Sequence, residues 1–219
     1  MILIDLIEYL LMSILQLYAQ IQTPPNLQRH MQEVAVVCMI ILDNWIGEKV
    51  DQQLTIQSAL LHDLGNIVKF KRPFLGELEA DIERWQAVQD EMILKYGSDA
   101  KKATHQMIAE IGLENSIGRV LHDMDRLLDG DIGVMPEAQI VEFADLCVSP
   151  EGIVGYNRRK QDLIHRYGAG HGLGWVEPAD RLITAIQKNV AIDLNNIETF
   201  NFSEFSKRIS QIILEDEVV

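Results

Sequence analysis

The sequence predicts an all-α protein, and three observations predict it. Apolar residues recur at helical spacing in almost every segment, and no apolar–polar alternation lasts long enough to build a sheet. Prolines and glycines fall between the periodic segments, at Thr23-Pro24-Pro25, Gly47, Gly97, Gly112 and Ser149-Pro150. The composition, 47% apolar and 24% charged, is that of a globular chain. With 219 residues, one domain with a sizeable core is the simplest organisation. Its core is expected over about 26–148, with C-terminal helices over 156–215 packed on it.

Helix one is expected from about Ile2 to Gln20, stopped by Pro24-Pro25. Asn26 is placed to cap a second helix through Trp45, with His30, Val34, Val37 and Ile41 along one face. A third helix runs from about Asp51 to Asp63, where Leu64-Gly65-Asn66 ends it. A short basic loop follows, Lys69-Phe70-Lys71-Arg72-Pro73, then a charged helix over about Leu78 to Lys95. Ser98 is placed to cap the helix Asp99 to Ile111, which carries His105. The segment Glu114 to Leu128 carries His122, and Pro136 suits the first position of a helix reaching about Val148 that carries Asp145. Beyond the Ser149-Pro150-Glu151-Gly152 break come helices over about Asn157–Tyr167, Pro178–Asp193 and Ser203–Glu215. A glycine-rich loop around His171 interrupts them; that histidine and His165 stand apart from the other four.

The net charge of −14 argues against a large nucleic-acid surface, which needs clustered Lys and Arg, but allows a small phosphorylated ligand in a local basic pocket. Met1 to Tyr18 is apolar, yet Asp5, Glu8 and Gln16 interrupt it, and neither a basic leader nor a small-residue cleavage site flanks it. It is too short and too charged for a span, so no membrane association is expected. It reads instead as an amphipathic helix buried on its own domain or in a homodimer. Cys38 and Cys147 lie in apolar helical runs without a CxxC pair, as expected of reduced core thiols in a cytoplasmic protein.

The chemistry concentrates in four histidines, His30, His62, His105 and His122, each on a different expected helix with an apolar neighbour. Imidazole is a common metal ligand. Asp145 sits among Phe143, Ala144, Leu146 and Cys147, where an unpaired carboxylate is expensive and a cation would compensate it. His62-Asp63 at a helix end is weak evidence alone, since His122-Asp123 repeats the dipeptide. In the order His, His-Asp, His, His, Asp, the set points to a metal site.

That order resembles the HD-domain superfamily of metal-dependent phosphohydrolases, over about His30 to Cys147. His30, the pair His62-Asp63 within Leu-Leu-His-Asp-Leu-Gly, and Asp145 within Val-Glu-Phe-Ala-Asp-Leu carry the likeness. The resemblance implies a helical bundle in which these four residues hold one metal. Asp63 would bridge to a second metal held by His105 and His122, giving two divalent ions of Fe, Mn, Zn or Ni. It implies hydrolysis of a phosphate ester or anhydride of a nucleotide or other small phosphorylated molecule, through a hydroxide bridging the metals. Asp63 and Lys69 would then be catalytic. Lys71, Arg72, Arg158 and Arg159, near the ligands in sequence, would bind substrate. The Gly-Tyr-Pro signature of cyclic-di-GMP phosphodiesterases does not follow His122. The same ligand order also occurs in HD-type di-iron oxygenases acting on small polyols or phosphonates, and the fold also serves as a non-catalytic interaction module.

Overall fold

The computed structural model describes residues 13–70, 81–167 and 173–215, and over these residues the protein is all-α apart from one two-residue hairpin. Helix α1 spans Ile14–Gln20 and opens with a reciprocal cap: the Ser13 hydroxyl accepts from Gln16 N–H, and the Gln16 carboxamide from Ser13 N–H. The earlier part of the expected first helix, and with it the proposed dimer surface, lies outside the described residues. Helix α2 spans Pro25–Asp43 and begins one residue before the expected Asn26 cap. Pro25 takes the first helical position, where its missing N–H costs nothing and its fixed φ suits the helix. The Asn26 carboxamide instead accepts from Leu27 N–H at 2.9 Å. Met31, Val34, Ala35, Val37, Cys38, Ile40 and Ile41 are all fully buried, so α2 is covered nearly all round and forms the axis of the bundle.

Helix α3 spans Gln52–Leu61, capped by Asp51, whose carboxylate accepts from Leu54 N–H at 3.0 Å. It stops two residues before the expected end and tightens into a 3-10 turn over Leu64–Lys69. A helix that stops inside the protein leaves its last carbonyls without intrahelical partners. Here two of them are met from outside the ladder. The Tyr18 hydroxyl of α1 donates to Leu60 C=O at 2.5 Å, and His62 Nδ1 lies 2.8 Å from Ala59 C=O.

Helix α4 spans Ile82–Tyr96 and α5 Ala100–Glu110. The cap of α5 is Asp99, whose carboxylate accepts from Lys102 N–H at 3.2 Å, rather than the expected Ser98; a carboxylate also suits the positive end of a helix. The 3-10 turn is seated on α5 through Gly65. Its N–H donates to Thr104 Oγ1 at 2.9 Å, and a Cβ there would stand 2.5 Å from Thr104 N. Only a glycine permits that approach. Helix α6 spans Ile117–Leu128 and α7 Pro136–Asp145, with Pro136 at its first position as expected. Strands β1 (Val148–Ser149) and β2 (Gly152–Ile153) pair antiparallel around Pro150 and Glu151, where the sequence predicted only a break. Helices α8 (Tyr156–Tyr167), α9 (Val176–Gln187) and α10 (Phe202–Glu215) complete the chain.

Helices α2, α3, α6 and α7 enclose the core; α9 packs on α7, and α10 on α2 and α1. Cys38 and Cys147 are buried free thiols. Among the described residues no helix is long and apolar enough to cross a membrane.

Candidate metal centre

Three helices deliver four side chains to one point. His30 comes from the second turn of α2, His62 and Asp63 from the end of α3, and Asp145 from the last position of α7. His30 Nε2 lies 3.0 Å from Asp145 Oδ1 and 3.5 Å from Asp63 Oδ2. His62 Nε2 lies 3.7 Å from each of the same two oxygens. The imidazole centroids are 5.5 Å apart. Successive residues on a regular helix point about 100° apart; because α3 ends at Leu61, the backbone at Asp63 is free of that spacing (φ −117°, ψ 18°), and both members of the pair reach one volume.

The protonation of His62 decides what this point can hold. A carbonyl cannot donate, so Nδ1, against Ala59 C=O, carries the hydrogen. In the neutral ring Nε2 is then a bare lone pair. It is buried without a hydrogen-bond partner, and two carboxylate oxygens, themselves acceptors, stand 3.7 Å from it. Three sets of lone pairs facing one another call for a positive charge between them. Without a cation, protons supply it. Burial opposes charge on His30, but Asp145 and then Asp63 outweigh that and raise its pKa from 6.5 to about 10. Against the same burial penalty, Asp63 and Asp145 raise His62. The imidazoles in turn hold Asp63 low and Asp145 well below the usual carboxylate range. The residues fit a divalent cation: one donor atom each of His30, His62 and Asp145 lie within 4.8 Å of one another, with Asp63 beside them. Nitrogen and carboxylate donors suit Mn, Fe, Zn or Ni, and the Nδ1–carbonyl bond orients a ligating imidazole as second-layer contacts do in metal sites.

His105 and His122, expected together at a second metal, are not brought together. His105 lines a cavity of about 460 Å³ beside the cluster, with its Nε2 2.9 Å from Asp125 Oδ2. Asp125 also takes Lys101 Nζ at 2.8 Å. His122 is exposed on α6. Leu121, Met124 and Asp125, at i, i+3 and i+4, form the face of α6 that lines the cavity, and His122 falls off that stripe. Its neighbour Asp123 anchors the following loop, accepting from Met135 N–H at 3.0 Å and from Arg126 at 2.8 Å.

Lys69, expected to be catalytic, and Arg159, expected to bind substrate, line this cavity. Arg158 points away, 68% exposed and paired with Glu151 at 2.7 Å, because residue 159 rather than 158 faces inward on α8. Lys71, Arg72 and His171 lie outside the described residues; His165 is exposed on α8. A second cavity, of about 530 Å³, opens on the His30 side and shares Asp63, Asn66, Lys69, Asp145 and Arg159 with the first. The cluster therefore stands between two hollows.

Sequence reasoning missed Asp125, Glu142 and Trp175, all of which line the first cavity. Glu142 was legible: it sits three residues before Asp145, on the same helical face. It is only 7% exposed, and burial, then the Asp145 charge, pushes its carboxyl up to about 8. Asp125 was signalled by its spacing from Leu121; Trp175, beyond the glycine-rich loop, carried no local signal. No family model, curated protein or solved structure matches the chain.

Proposed function

We propose that the protein is a metal-dependent phosphohydrolase acting on a small phosphorylated molecule. The observation that carries this reading is the buried, partnerless Nε2 of His62 facing the Asp63 and Asp145 carboxylates. His30, His62, Asp63 and Asp145 would hold one divalent cation. A cation so held acts as a Lewis acid, polarising a phosphoryl oxygen and making water a competent nucleophile near neutral pH. The protein's own groups do the rest. Lys69 and Arg159 line both hollows beside the cluster, where an ammonium and a guanidinium can pair with phosphoryl oxygens and offset charge that grows as the ester breaks. Asp63 and Asp145 fix the imidazoles, so the donor set needs little rearrangement during turnover. The His105–Asp125 pair lines the same cavity and can hold a proton there. Leu121, Met124, Leu146 and Trp175 supply an apolar wall for the organic part of the substrate.

The resemblance to the HD superfamily, resting on the same four residues, agrees with this reading. The second cation it implies would have to draw on His105 and Asp125, and Asp125 is already engaged by Lys101. One cation suffices for hydrolysis, whereas the di-iron oxygenase reading requires two. The test is elemental analysis of the purified protein together with a phosphoester and nucleotide panel in Mn²⁺. Stoichiometric cation and chelator-sensitive release of phosphate are expected. Absence of bound cation, or dioxygen consumption at a di-iron centre without phosphate release, would overturn the reading.

A further inference from the structure

Glu142 is the carboxyl of the cavity that the hydrolytic roles leave unused. It lies one helical turn before Asp145 on α7 and lines the cavity that His62, Asp63 and His105 also line. Behind it is a pocket of about 20 Å³ whose other walls are apolar, Leu127, Leu146, Trp175 and Leu182 among them. No described residue makes a hydrogen bond or ion pair to its side chain. A carboxyl in such surroundings is expensive, and buried polar groups are almost always paired. Glu142 borders only apolar residues in that small pocket and polar ones in the main-site cavity, so a polar partner fits on the cavity side.

The cavity narrows what that partner can be. Lys69, Lys101 and Arg159 match the charges of Asp63, Asp125 and Asp145 in its lining, and a divalent cation held by the cluster would tip the balance positive, which disfavours a cationic ligand group. The donor is therefore neutral. On a phosphate ester, the neutral donors nearest the phosphorus are hydroxyls of the esterified group. Trp175 in the same wall offers an aromatic face to the carbon skeleton of a ring. We propose that Glu142 is a specificity-determining residue that accepts a hydrogen bond from a substrate hydroxyl, which makes the substrate a phosphate ester of a hydroxylated ring, either a sugar phosphate or a ribonucleotide. This rests on the phosphohydrolase reading.

The test compares two matched pairs, adenosine 5′-monophosphate with its 2′,3′-dideoxy analogue and ribose 5-phosphate with 2,3-dideoxyribose 5-phosphate. The Mn²⁺-loaded wild-type protein, Glu142→Gln and Glu142→Leu are each assayed. A site built around a hydroxyl rejects the analogue lacking it, so the wild type should prefer the hydroxylated member in kcat/KM by roughly 10–100-fold; the pair that shows it separates nucleotide from sugar phosphate. Glu142→Gln keeps a carbonyl acceptor and should keep most of the preference. Glu142→Leu should lose it while turning over the dideoxy member within a few-fold of wild type. Equal turnover of both members by the wild type, or a Glu142→Leu loss that falls equally on both, would overturn the proposal. Ligand-induced thermal shifts on the same four compounds give the same ratio from binding. The proposal thus stands or falls on binding even if nothing is hydrolysed, an outcome that sinks only the phosphohydrolase reading.

Discussion

Two imidazole–carboxylate groups share one cavity, and they are balanced in opposite ways. In the group of His105, Asp125 and Lys101, the carboxylate meets an ammonium at 2.8 Å and an imidazole at 2.9 Å. Its charge is answered by the protein itself. In the group of His30, His62, Asp63 and Asp145, two carboxylates face two imidazoles, one of which turns a bare nitrogen toward them. Its charge is answered only by borrowed protons. The contrast teaches that histidine number does not locate a candidate metal site; unbalanced lone pairs do.

The largest expected effect falls on the unbalanced group. Asp145→Ala should strip the bound cation and lower phosphoester turnover by roughly a thousandfold or more, the several kcal/mol that a Lewis acid contributes. Elemental analysis beside the assay checks this, and a variant that keeps a full equivalent of cation would break the comparison. His105→Ala should behave differently, retaining the cation while turnover falls roughly 100-fold, as when a positioned proton-transfer group is removed. Loss of half the metal in that variant would instead mean that the balanced group also binds.

The borrowed proton gives a pH signature. The pKa of His30 is raised from 6.5 to about 10 because Asp145 and Asp63 overcome its burial. In cation-free protein that proton contributes stability fully present below 6.5 and lost as pH climbs through about 10. A cation must displace it, so affinity should weaken about tenfold for each unit of pH lowered within that window. Calorimetric titrations in buffers of different ionisation heat would show at least about one proton released per cation, since His62 is raised as well as His30; pH-independent binding would contradict the assignment. The smallest effect belongs to the exposed histidine. His122→Ala should change stability by less than about 0.5 kcal/mol and leave cation content and turnover unaltered. A halved cation content there would restore the dinuclear arrangement that the resemblance implied.

The sequence made the helices legible because apolar spacing and punctuation agree along most of the chain, and it made the cluster legible because His30, His62, Asp63 and Asp145 are polar groups at apolar addresses. It misjudged helix starts where two residues compete: Pro25 over Asn26, and Asp99 over Ser98. His122 entered the expected site through its place in the family order, whereas on α6 it is Asp125 that falls on the face lining the cavity. The Val148–Ile153 hairpin was illegible, since two-residue strands leave no period to read. The tautomer of His62 was equally hidden, because it depends on where a helix stops.

That stopping point carries a consequence for how such a site can be adjusted. Ala59 and Leu60 offer adjacent carbonyls left over by the end of α3; one engages the His62 ring and the other the phenol of Tyr18. The orientation of the His62 ring is thereby tied to the accounting of main-chain acceptors at this helix end, and part of that accounting is done from α1, a helix that lends no atom to the cluster. A change at Tyr18 would leave the Leu60 carbonyl, one residue from the acceptor that the His62 ring uses, without that partner, and would do so without touching the pocket wall.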